Sequence, residues 1–308
     1  MKEAILVTGS HRSGTTWVGR MIAHSARVHY VQEPFNIDNP PGKGICSAKF
    51  YHWYTQINSE NEALYYEPFK KTIHLSYDLL AQLLDKDSKK GLRKIISEYR
   101  QFSYSKFSDK IALLKDPLAL LSAEWFFEKF RTKNIVLIRH PAAFASSLKR
   151  QGWGFDFSNF TSQNQLFNHS SFPFKDEVYA YAKEPKSIIS QSILLWKVLH
   201  SRILYYQQKY PNWLFVRHED ISTNPIEGYA RIFDYLGLAF PPAIQDTVAE
   251  YSSPKNPIEA EQGATHTLKR DSRANAKSWK TRLDEEEVLS IYDGVKEISP
   301  HFYAESDW

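Results

Sequence analysis

Apolar runs along the 308-residue chain stop abruptly at polar residues in five places. Ala4-Ile5-Leu6-Val7 runs into Gly9-Ser10-His11-Arg12-Ser13-Gly14, and Val28 to Gln32 ends at Glu33-Pro34-Phe35. Ile111 to Leu114 ends at Lys115-Asp116-Pro117, Ile135 to Ile138 at Arg139-His140-Pro141, and Trp213 to Val216 at Arg217-His218-Glu219-Asp220. Short apolar runs bounded in this way predict buried strands. Between them, apolar residues recur at helical spacing over Thr15 to His24, Tyr77 to Leu84, Leu92 to Tyr99, Leu120 to Phe130, Ile188 to Gln208 and Tyr229 to Leu236. Pro141 is placed to open a further helix through Arg150. Strands alternating with helices predict an α/β fold, a three-layer sandwich around a central parallel sheet. Ligands of such sheets bind beyond the carboxyl ends of the strands, so the polar strand ends, scattered in sequence, are expected on one edge.

Two stretches break the alternation, 36–75 and 151–186, and read as irregular lid or acceptor-binding insertions in a single domain spanning 1–308. They are rich in rings, among them Phe50, Tyr51, Trp53, Tyr54, Trp153, Phe155, Phe157 and Phe160, a content that argues against disorder. Each ring by itself is more simply a packing residue. As a group they are candidate walls of an acceptor pocket.

Composition narrows the classes. Hydrophobic residues at 42% and charged ones at 24% belong to a globular chain and exclude a disordered or collagen-like one. The net charge of +4 gives no reason to expect nucleic acid as a partner, which needs a clustered basic face. A lone Cys46 excludes an intrachain disulfide framework and a Cys-rich zinc site. No window approaches the ~20 apolar residues of a membrane span, and the N-terminus lacks a cleavable leader pattern. The chain therefore reads as cytoplasmic, with its oligomeric state open.

Gly9-Ser10-His11-Arg12-Ser13-Gly14-Thr15-Thr16 has the G-x-x-x-x-G spacing of a P-loop, after a strand and before a helix. Glycines let successive backbone N–H groups converge on an anion at a helix N-terminus. The spacing alone is a weak signal and its placement makes it a good one for a P-loop NTPase-like fold, but the lysine is missing. Thr15 stands where Lys is required, Arg12 supplies the cation instead, and no Walker-B aspartate is evident to hold a metal. The loop therefore reads as an anion cradle with no metal site. Arg139, closing an apolar strand, is costly to desolvate unless it meets an anion, and Ser146 and Ser147 add hydroxyls on the next helix. Two separate phosphate-type sites on one sheet edge suggest a nucleotide phosphorylated at two positions.

These residues match a family. Gly9 to Trp17 resembles the 5′-phosphosulfate loop of sulfotransferases that use 3′-phosphoadenosine-5′-phosphosulfate (PAPS) and release 3′-phosphoadenosine-5′-phosphate (PAP). Ile138-Arg139-His140-Pro141 with Ser147 resembles their 3′-phosphate motif. Val216 to Ile221, Asn224-Pro225 and Phe233 to Leu238 are similar to a further block of that family. The resemblance implies that Arg12, Ser13, Gly14, Thr15 and Thr16 surround the 5′-phosphosulfate, Trp17 lies against adenine, and Arg139 and Ser147 hold the 3′-phosphate. His218 occupies a place often held by a Tyr near the adenine. Glu33 resembles the catalytic Glu of protein-tyrosine and carbohydrate sulfotransferases. The cytosolic branch carries a His after the Lys of the third strand end. Here Asp116 follows Lys115, which makes Asp116 the runner-up base and Lys115 a partner for Glu33 or the bridging oxygen. The family's late Arg-Lys-Gly block is absent. Arg270-Asp271-Ser272-Arg273 is the nearest substitute, so Arg270 and Arg273 are phosphate candidates.

The implied activity is sulfuryl transfer to a hydroxyl of a carbohydrate, natural-product or phenolic acceptor, by in-line displacement with a carboxylate base and no metal. The rival readings are a degenerate P-loop kinase or ATPase and a non-catalytic nucleotide-binding protein.

Overall fold

The computed structural model describes residues 3–86, 88, 90–169, 172–184, 186–259 and 268–308. Its strands are β1 Ala4–Gly9, β2 Val28–Gln32, β3 Ile111–Lys115, β4 Lys133–Ile138 and β5 Leu214–Arg217, all where the apolar runs predict them. They form a parallel sheet in the order β2-β3-β1-β4-β5, flanked by helices. The chain divides into two compact units, one of Met1–Thr8 with Val18–Ile135 and the other of Gly9–Trp17 with Val136–Trp308.

The helices are α1 Thr15–Ile22, α2 Tyr66–Ile73, α3 Leu79–Leu83, α4 Leu92–Phe107, α5 Ala123–Phe130, α6 Pro141–Gln151, α7 Ser158–Thr161 and α8 Lys175–Lys183, followed by α9 Ile188–Lys209, α10 His218–Thr223, α11 Pro225–Leu236, α12 Pro242–Ser252, α13 Ser272–Lys277 and α14 Glu285–Val295. Three differ usefully from the periodicity reading. The stretch from Leu120 is split, because Asp116 caps a 3₁₀ turn opened by Pro117 that runs to Ser122 before α5 begins. The helix expected from Tyr77 starts at Leu79, since the Asp78 side chain accepts the Ala81 N–H at 2.9 Å and fixes the first turn there. Periodicity stops α4 at Tyr99, but the helix continues to Phe107, burying Phe102 and Ser105.

In the first unit, β3 is the hub. Lys115 is in register with Val7 of β1 on one side and Gln32 of β2 on the other, so the carboxyl ends of these strands lie level. This brings Glu33 and Asp116 to one place. Several rings of the 36–75 insertion are spent on packing, Phe50 stacking on Phe35 at 4.1 Å between centroids and on Tyr65 at 5.1 Å, whereas Tyr51 is exposed.

In the second unit, α6 presents Ala142, Ala143 and Ala145 to Trp279, Leu283 and Ile291. Three alanines on one helix face allow close approach. Gly152, in the left-handed region at φ +66°, ends this helix. Phe157 and Phe160 of the 151–186 insertion are buried in a cluster with Phe155 and Phe172, which makes them core residues. Trp153 stays exposed.

Candidate functional site

The loop between β1 and α1 belongs to the second unit. Gly9 has φ +144°, and a Cβ there would meet the Leu137 carbonyl oxygen at 2.4 Å, so only glycine permits the turn out of β1. Ser13 closes the loop by donating both its N–H, at 3.2 Å, and its hydroxyl, at 2.6 Å, to the Ser10 carbonyl. Arg12 at the tip sits in the left-handed region at φ +64°, a conformation that costs a non-glycine residue about 1–3 kcal/mol and must be held by its surroundings. The holders are visible. Arg12 Nε donates to Ser147 Oγ at 3.0 Å, its guanidinium lies 5.4 Å from the Trp153 ring centre, and Arg139 Nη1 donates to the Arg12 carbonyl. Trp196 Nε1 in turn fixes the Arg139 carbonyl at 2.9 Å. Thr15 and Thr16 form the first turn of α1.

The sequence treats the loop and the Arg139–Ser147 pair as two separate sites. The structure joins them, because Ser147 is bonded to the loop's own arginine. Three more guanidiniums belong to the same electrostatic neighbourhood. Burial, then Arg139, Arg270, Arg150 and Arg282, push the Arg12 pKa down to about 10. Burial, then Arg150 and Arg139, bring Arg282 to about 10 as well. Arg139 is lowered by burial despite Glu219, whose field acts the other way, and its Nε has no partner. Glu259 bridges two members of the set, with Arg150 at 2.7 Å and Arg282. Five mutually repelling cations tempered by two carboxylates are stabilised by a polyanion.

Beside the loop, Trp17 packs edge-on against His218 at 6.1 Å and Tyr229 at 5.4 Å. Trp17 Nε1, His218 Nδ1 and Tyr229 OH are all buried without hydrogen-bond partners. His218 is held neutral, its pKa driven well below the usual value by burial and then by Arg139 and Arg270. An aromatic corner with orphaned donors and acceptors next to a cationic cluster fits a heterocyclic base bearing phosphates. The residues present therefore suit PAPS. Gly14 completes the fit: at φ +90°, its Cβ would come 2.5 Å from His218 Nδ1. Gly14→Ala is expected to weaken PAP binding at least about tenfold, the equivalent of 1.4 kcal/mol, as read by titration calorimetry. Unchanged affinity would show that this contact does not shape the cradle.

The first unit carries the candidate base. Glu33, also in the left-handed region at φ +43°, follows β2. One carboxylate oxygen meets the ammonium of the fully buried Lys115 and the other accepts Asn36 Nδ2 at 2.7 Å. Gly19 of α1 makes room for that lysine, since a Cβ there would lie 2.9 Å from Lys115 Cγ. Asp116 is used differently. Its oxygens accept the N–H groups of Phe35 at 2.7 Å and Leu118 at 3.0 Å, pinning the turn that carries Glu33. Burial raises the Asp116 pKa to about 8, with the Phe35 N–H opposing.

Of the sequence candidates, Arg12, Ser13, Gly14, Thr15, Thr16, Trp17, Arg139, Ser147, His218 and Arg270 gather in the second unit, and Glu33, Lys115 and Asp116 in the first. Arg273 goes elsewhere: its guanidinium donates to the Thr223 carbonyl at 2.9 Å. Sequence reasoning missed Tyr229, taken for the apolar start of a helix, as well as Arg150, Arg282, Glu219 and Asn36. Asn36 could have been found as the first polar residue after the Glu33 turn; the two arginines carry no local signal. Among the described residues no cluster of His, Cys, Asp and Glu could hold a metal ion, and no helix is long and apolar enough to cross a membrane.

Comparison with known proteins gives the family. The sulfotransferase domain family profile matches residues 2–297. Carbohydrate sulfotransferase 1 of Danio rerio is 28% identical over 100 residues, 31% of this chain and 22% of that protein, so the match spans about a fifth of that relative's length. Among solved structures, the sulfotransferase domain from the curacin biosynthetic pathway aligns with TM-score 0.49 at 14% identity, over 96% of this chain and 98% of that one. A mouse sulfotransferase complexed with PAP aligns with TM-score 0.46 at 10% identity, over 98% and 85%.

Proposed function

The chain belongs to the sulfotransferase domain family, and from that membership we propose that it transfers a sulfuryl group from PAPS to a hydroxyl of a carbohydrate, natural-product or phenolic acceptor. The joined cluster of Arg12, Arg139 and Ser147 beside the Trp17, His218 and Tyr229 corner carries this reading. In it, Arg139, Arg270 and Ser147 take the 3′-phosphate, the Ser13 to Thr16 amides and Arg12 take the 5′ end, and the aromatic corner takes adenine. Bound there, PAPS supplies a sulfuryl group activated by its bond to phosphate. Arg12 and the amides at the start of α1 stabilise the negative charge that builds on the leaving phosphate, and being fixed in advance they need no reorganisation. Glu33 accepts the acceptor's hydroxyl proton, while Lys115 and Asn36 aim its carboxylate. Asp116 keeps the turn in place.

The test is an acceptor screen with labelled PAPS, with sulfated products read by mass. Turnover in EDTA separates this reaction from phosphoryl transfer by a P-loop kinase, which stops without its metal. PAP should raise the unfolding temperature more than AMP, which lacks the 3′-phosphate. Arg139→Ala should abolish that preference, with a loss in PAP affinity of about 10- to 150-fold, as for 1.5–3 kcal/mol of a charged hydrogen bond. An undiminished preference would remove Arg139 from the 3′-phosphate site.

A further inference from the structure

We propose that α3 and α4 form a docking surface for anionic lipid headgroups. At 100° per residue, Ile95, Phe102 and Ser105 of α4 form the face that is buried. A second apolar stripe, Leu92, Ile96, Tyr99 and Phe107, occupies an arc of about 80° roughly a third of a turn away, and every member of it is exposed, Phe107 to 89%. The α3 segment, which packs against α4, adds Leu80 and Leu84, exposed to 71% and 76%. A helix face turned to water is ordinarily polar, so a stripe of this length has an occupant.

Charge identifies it. Residues 78–110, from the α3 cap to the end of the α4 segment, hold eight Lys and Arg against five Asp and Glu, a local net charge of +3 in a chain whose total is +4. Most of the basic excess of the protein therefore resides here, and Arg93, Arg100 and Lys106 border the apolar stripe as exposed side chains. A second copy of this chain would set +3 against +3. The stripe runs along a helix of about 24 Å, where exposed Leu, Ile and Phe side chains can enter a fluid acyl boundary while Lys and Arg meet headgroups. Such binding is peripheral and salt-sensitive, and it is independent of the transfer reaction.

The experiment is co-sedimentation of the full chain with vesicles of phosphatidylcholine alone and with phosphatidylglycerol added. Partition onto the anionic vesicles should exceed that onto neutral ones by at least about tenfold and weaken with salt. The triple substitution Leu84→Ser, Ile96→Ser, Phe107→Ser and the separate triple Arg93→Glu, Arg100→Glu, Lys106→Glu should each reduce partition at least about tenfold, with the unfolding temperature unchanged because all six side chains are exposed. Four outcomes overturn the proposal: no partition, equal partition onto both vesicle types, serine-triple partition equal to that of the unsubstituted chain, or a dimer in sedimentation velocity that the serine triple abolishes. The last would assign the stripe to a second copy.

Discussion

Glu33→Gln is expected to lower kcat by about 10²- to 10⁴-fold, the usual contribution of a positioned general base, while PAP affinity stays unchanged. The amide is nearly isosteric with the carboxylate and keeps one oxygen to accept from Lys115, at the loss of the bond from Asn36, and the turn is still pinned by Asp116; what is lost for the reaction is the capacity to take a proton. Asp116→Asn is the matched control. Its two carboxyl oxygens each accept a backbone N–H group, and an amide nitrogen cannot replace one of those acceptors. That substitution is expected to cost stability, about 1–3 kcal/mol for an unsatisfied buried donor, more than it costs turnover per folded molecule. The pair of variants separates the two carboxylates. If Asp116→Asn abolished turnover at unchanged stability while Glu33→Gln turned over normally, the base would be Asp116. If neither variant mattered, both Glu33 and Asp116 would be excluded as the base.

The second large effect is on acid stability. Burial holds His11, His140 and His200 at pKa values of about 3 and His29 at about 4, and drives His218 well below its usual value. The unfolded chain would protonate each of them near pH 6.5. Between the folded and unfolded pKa values the unfolded state binds more protons, so stability is fully present above about pH 6.5 and is lost as the pH falls. Each histidine contributes a slope of about 1.4 kcal/mol per pH unit. Asp116 acts in the opposite direction: its pKa, raised to about 8, makes the folded state bind the extra proton from about pH 4 to 8. Glu219, whose pKa burial also raises, acts the same way as Asp116, and two such groups against five histidines leave a net loss on acidification, set against a total stability of about 5–15 kcal/mol for a typical domain. The unfolding temperature should therefore fall sharply from pH 6.5 to 4.5. His200, stacked on Trp196 at 3.9 Å, offers a direct check, since His200→Phe should make the decline shallower by one proton's share. A flat profile across this range would refute the account.

The strands, the glycine loop and the candidate for the base could be read from the chain alone, because each is written in consecutive residues. An apolar run that stops at a polar residue is a local property, and so is a glycine that must turn a backbone. Glu33, Arg12 and Arg139 were legible for the same reason, standing at the ends of such runs. Tertiary structure decided how these parts are used. That Ser147 bonds Arg12, that Asp116 is consumed by the Phe35 and Leu118 amides, and that Arg273 is spent on Thr223 depend on contacts between residues far apart in the chain. The same holds for Arg150, Arg282 and Tyr229, whose neighbours in sequence say nothing of a ligand, and for the rings of the two insertions, which composition could not divide between walls and core. Electrostatic and packing energies fall off with distance in space, whatever the separation along the chain. Residue type therefore fixed what each group could do, and only the fold fixed what it meets.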